Sequence, residues 1–152
     1  MPEAIPQEGI PQGAIPPQPG EGVIIEPMPK QVMSGNPAVI ALLDRSRLDT
    51  AAGKRETAGA SLERALRIEP RNAWLWNELA QLRLAQGQYV QAITLAQKSI
   101  SFAGRDRRLR AINWRVIGNA RVAQGDSAGA EQAFKLAAEL EQSAQSESGH
   151  GF

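Results

Sequence analysis

The chain has 152 residues, a formal net charge of +1 and no cysteine. That length holds one domain plus an extension. The charge gives no global case for nucleic acid, and the missing thiols exclude disulfides, thiolate metal sites and cysteine nucleophiles. No run of about 18 apolar residues is present to span a membrane as a helix. As written, the start Met1-Pro2-Glu3 has neither the basic nor the apolar region of a secretory signal.

Eight of the ten prolines lie between Pro2 and Pro29, and Pro6, Pro11 and Pro16 recur in "AIPQ", "GIPQ" and "AIPP". Proline fixes φ, donates no N–H and pushes its predecessor towards extended geometry. Residues 1–36 are therefore read as a disordered Pro/Gln/Gly-rich tether, able to dock "AIPPQP" in a partner's aromatic groove or to act as a spacer. From Asn36 the character changes. Asn36 offers an N-cap and Pro37 a first helical position, and the rest to about Leu140 has helical spacing without strand-like runs. The expected helices are 37–52, 55–68, 72–86, 89–102, 106–124 and 127–142, and residues 143–152 are expected to be a flexible tail.

The break at Gly87 inside "AWLWNELAQLRLAQGQYVQAI" belongs to a repeat. Gly53 and Gly87 are 34 apart in the numbering, and Gly87 and Gly125 are 38 apart. Alanine follows each glycine by five, at Ala58, Ala92 and Ala130, and Trp76 and Trp114 precede the later two by eleven. This pattern resembles the tetratricopeptide repeat (TPR), with repeats at about 39–72, 73–106 and 111–144. The resemblance implies an all-α fold: three tandem helix-turn-helix repeats in a short right-handed solenoid over 37–142. Residues 107–110, "RRLR", read as an insertion that adds a turn to the fifth helix. Gly87 and Gly125 end a helix in left-handed geometry. Small residues at Gly118, Ala92 and Ala130 let helices approach, and Trp76, Tyr89 and Trp114 fill the space beside them. Repeat one departs most, having Leu42 in the tryptophan slot.

Chemistry is sparse. The one histidine, His150, stands between glycines near the end of the chain, without a fixed partner. No paired-carboxylate, HExxH, GxSxG or Walker motif is present. The sequence reads as a non-enzyme with no cofactor and no metal site. TPR proteins hold partners in a concave groove lined by the first helix of each hairpin. At the family's groove positions this chain places Arg47 in repeat one, Trp74, Asn77 and Gln81 in repeat two, and Arg115 and Asn119 in repeat three. Trp74 reads either as an anchor for a partner or as cover for the neighbouring repeat. Arg115 and Asn119 match part of the carboxylate clamp of chaperone-binding TPRs, without the following repeat that completes it. Arg105, Arg107, Arg108 and Arg110 form a basic patch that suits an acidic protein surface, phosphate or anionic lipid, or is only a solvated helix start.

A proline-rich tether before a short TPR domain resembles the LpoP-type lipoproteins of pseudomonad-like bacteria. That resemblance implies a protein in the periplasm, anchored to the outer membrane through an acylated cysteine that this chain does not contain. It also implies activation of a class A penicillin-binding protein, a bifunctional peptidoglycan synthase of the cell wall. A tether of this length would reach on the order of 100 Å. Membrane contact is expected only through the anchor, nucleic acid is not expected as a partner, and the chain reads as a monomer. The other readings are an adaptor for pilus or secretion assembly, a cytoplasmic peptide-binding scaffold, or a scaffold that self-associates through an uncapped last helix.

Overall fold

Helix-forming sequence punctuated by glycine folds here into antiparallel hairpins. The computed structural model describes residues 28–149, so residues 1–27 of the tether and His150 lie outside the described residues. A single helical turn, α1 (Lys30–Met33), leads into six helices: α2 (Pro37–Ala51), α3 (Arg55–Ile68), α4 (Ala73–Ala85), α5 (Tyr89–Ala103), α6 (Arg107–Ala123) and α7 (Ser127–Gly149). Among the described residues there is no strand. The helices pair as α2/α3, α4/α5 and α6/α7, and successive pairs stack into a short solenoid.

Local chemistry sets the ends. Asn36 accepts from the Ala38 N–H, Asn72 from those of Trp74 and Leu75, and Asp106 from that of Leu109, so the first helix of every hairpin is side-chain capped. Inside each hairpin one turn recurs. The Lys54, Gln88 and Asp126 amides donate to the Asp49, Arg83 and Arg121 carbonyls at 2.7, 2.9 and 2.9 Å. At the middle turn Gly87 takes φ +77°, a region that a side chain enters only with strain. The insertion makes α6 17 residues long against 13 for α4.

Two apolar clusters fill the interior. The first joins Val39, Leu43, Leu62, Leu75 and Leu79 across repeats one and two. The second joins Ala80, Ala92, Ala96, Val116, Ile117 and Ala133 across repeats two and three. The alanines draw the helix axes close. Gly118 does so most sharply, since a Cβ there would collide with the Phe134 ring. Gly118→Ala should therefore cost roughly 1–3 kcal/mol through overpacking, seen as a lower denaturation midpoint. A neutral result would show that Phe134 moves aside freely.

Two boundaries differ from the sequence reading. The tether does not run to residue 36. Met33 is 5% exposed within the first cluster, Met28 packs against that cluster, and Ser34 is buried. Ser34 Oγ donates to Glu69 Oε2 at 3.0 Å, and Asn72 Nδ2 donates to the Met33 carbonyl at 2.9 Å. The reason is the open end of a solenoid. Among the described residues no earlier repeat covers Val39 and Leu43, and flexible methionine side chains pack there instead. At the other end, α7 continues to Gly149, past the expected end at residue 142. Its last turns, built of Ser, Ala, Gln and Glu, hold no glycine or proline before Gly149 to stop it.

Candidate functional site

Helices α2, α4 and α6 lie side by side and carry the six groove residues expected from the sequence. Most of these side chains are already engaged within the chain. Arg47 grips Glu78 of α4 with two bonds, Nε to Oε2 at 2.8 Å and Nη2 to Oε1 at 3.1 Å, and its Nη2 also lies 3.1 Å from Met33 Sδ. Arg115 makes the same bidentate arrangement with Glu141 of α7, at 2.8 and 2.6 Å. Neither arginine is open to a partner's carboxylate, because tertiary packing brings one of the chain's own to each.

The pair at Arg115 has a pH signature. The hydrogen bond from Arg115 holds the Glu141 carboxyl below the usual carboxylate range, desolvation opposes this, and the charge of Arg115 adds to the lowering. A lowered folded-state pKa gives stability that is present above the unfolded pKa and lost as pH falls through the folded one. The Glu141 side chain is 41% exposed, so the contribution is under about 1 kcal/mol. Glu141→Gln should be slightly less stable than the parent at neutral pH, and the gap should close on acidification below about pH 4. A gap independent of pH would assign the effect to packing.

Asn77 is not available to a peptide either. It is 2% exposed, and it heads a buried chain of hydrogen bonds linking α4, α5 and α6. Gln81 Nε2 donates to Asn77 Oδ1 at 2.6 Å, and Asn77 Nδ2 donates to Asn113 Oδ1 at 2.8 Å. Asn113 Nδ2 donates to Ser99 Oγ at 2.7 Å, and Ser99 Oγ donates to the Ala73 carbonyl at 2.7 Å. Buried amides persist only when their hydrogen-bonding groups are satisfied, and here each supplies the other's partner. Sequence reasoning missed Asn113. An asparagine between Ile112 and Trp114, on an otherwise apolar helix face, was the signal.

Of the six, Trp74 keeps surface to offer. Trp74 is half-buried, one side packed on the first cluster. Asn119 is half-buried, but its Oδ1 is shut from solvent and accepts no hydrogen bond among the described residues, so it is not presented to a partner. Trp76 and Trp114 are half-buried beside the two clusters, and the Trp76 indole N–H donates to the Pro70 carbonyl at 2.8 Å. Tyr89 is half-buried next to Gly87, whereas Ala92 and Ala130 are 0% and 2% exposed, as close helix contact requires. In the basic patch, Arg105 and Arg108 are exposed while Arg107 and Arg110 are half-buried. Arg110 Nη1 donates to the Gly104 carbonyl at 3.3 Å. Among the described residues no group of His, Asp and Glu side chains is placed to hold a metal ion.

Three stacked antiparallel hairpins define a tetratricopeptide-repeat domain, a module for binding other proteins. The tetratricopeptide repeat family matches residues 49–112. The chain belongs, more particularly, to the LpoP type. It is similar to the globular C-terminal domain of LpoP from P. aeruginosa, with 42% identity and a TM-score of 0.66, covering 67% of this chain and 96% of that one. A second solved structure, the second TPR of Spaghetti (RPAP3) bound to the HSP90 peptide SRMEEVD, shares the fold at 23% identity and a TM-score of 0.61. The match covers 72% of this chain and 98% of that one. No curated protein matches the sequence.

Proposed function

We propose that this chain is a non-catalytic activator of a bifunctional peptidoglycan synthase, working in the bacterial envelope on an outer-membrane anchor. The observation that carries this reading is the 42% identity to the LpoP domain across nearly all of that domain. The proline-rich residues 1–27 serve as the tether that takes the domain towards its partner. The experiment adds purified chain to a class A penicillin-binding protein and follows glycan polymerisation. Faster polymerisation is the expected result, and an unchanged rate would sink the reading.

Within the groove, the partner meets the middle repeat. Arg47 and Arg115 are neutralised at the two ends, which leaves Trp74 as the large anchor. Trp74→Ala should cost only about 1–2 kcal/mol of stability, because the ring is half-buried. It should weaken synthase binding about tenfold or more, as loss of an aromatic anchor does. A variant that unfolds, or one that binds like the parent, would remove Trp74 from the interface.

A further inference from the structure

Antiparallel hairpins bring the turns between successive repeats to one edge of the solenoid. Here that edge gathers Arg67 and Arg71 around the α3–α4 turn and Lys98, Arg105 and Arg108 around the α5–α6 turn. All five are exposed, and none has an ion pair among the described residues. The two acids in these turns are engaged elsewhere: Glu69 accepts from Ser34 and Asn72, and Asp106 caps α6.

Apolar groups are set among the cations. Ile68 is 45% exposed, and Val32, in the turn that Asn72 holds against this edge, is 62% exposed. Trp76, bonded to the Pro70 carbonyl, and Phe102 in the last turn of α5 lie on either side of Lys98, whose Nζ sits 5.6 and 5.4 Å from their ring centres. The chain also enters the domain beside this edge, through the turn that Asn72 holds.

We propose that this inter-repeat edge docks on an anionic lipid bilayer. Guanidinium groups pair with headgroup phosphates, and indole, phenyl and aliphatic groups at the same level enter the interface. An acidic peptide fits less well. The backbone amides that would select one carboxylate, at the starts of α4 and α6, are already bonded to Asn72 and Asp106. Nucleic acid also fits less well, because the Lys98 ammonium occupies the rings on which bases would stack. The sequence led to membrane contact only through an anchor, whereas this edge is a second contact made by the folded domain itself.

The test floats the full chain with vesicles of phosphatidylcholine alone, or with about one-third phosphatidylglycerol, at low salt and at about 0.5 M salt. The chain should float only with the anionic vesicles at low salt. Arg105→Glu with Arg108→Glu should lower partitioning about tenfold or more. Lys54→Glu with Arg55→Glu, exposed at the opposite edge, should float like the parent. If the first pair fails to fold by circular dichroism, Arg105→Gln with Arg108→Gln takes its place. Equal flotation on neutral vesicles, none at low salt, equal loss in the opposite-edge variant, or displacement by stoichiometric polyglutamate or oligonucleotide would each overturn the proposal.

Discussion

Asn113→Ala should lower the unfolding free energy by about 3 kcal/mol, the sum of a stranded donor and a small void. Asn113 is fully buried and supplies the acceptor for Asn77 Nδ2, itself shut from water. Removing it orphans that donor, at roughly 1–3 kcal/mol, and also removes the bond to Ser99. The sign of the coupling is more informative than the single value. Asn77→Ala with Asn113→Ala should cost less than the two singles together, because the double variant removes the stranded donor along with its acceptor. Urea unfolding of the four proteins measures the cycle. A single loss below about 0.5 kcal/mol, or strict additivity, would mean that water replaces these bonds easily and that the amides do not join repeat three to repeat two.

Met33→Ala should cost about 2–3 kcal/mol, the lower part of the range for a buried methionine. Only 5% of Met33 is exposed, and Leu43 and Leu75 lie in the same cluster. The prediction separates two views of the N-terminus. If residues 28–36 belong to a tether, the substitution is neutral to within about 0.5 kcal/mol, as surface changes are. If they close the open end of the solenoid, the variant loses stability, and removing residues 1–36 loses more than removing residues 1–27. Thermal or urea unfolding of the parent, the variant and the two shortened chains decides between them.

The helices and hairpins were legible because their causes are local. Asn36-Pro37, the glycines at 53, 87 and 125, and the alanines that follow each by five act within a turn or two of the backbone. The long fifth helix followed from an insertion, "RRLR", inside a known period. The groove residues were legible by position and illegible by state. Arg47 meets Glu78 31 residues away, Arg115 meets Glu141 26 residues away, and Asn77 meets Asn113 36 residues away. A period identifies which face of a helix a residue occupies, but it does not say what the facing helix presents.

The amino-acid sequence by itself determined an all-α chain of three hairpins after a proline-rich arm, because periodicity, capping and turn chemistry act over short stretches. Tertiary structure decided the rest. It neutralised the two groove arginines, turned Asn77 inward, shut the Asn119 oxygen from solvent and left Trp74 with surface to offer. It drew Met28 and Met33 out of the arm into the cluster that holds Val39 and Leu43. It also assembled one basic edge from turns that belong to successive repeats, since stacking places equivalent turns side by side whatever the separation along the chain.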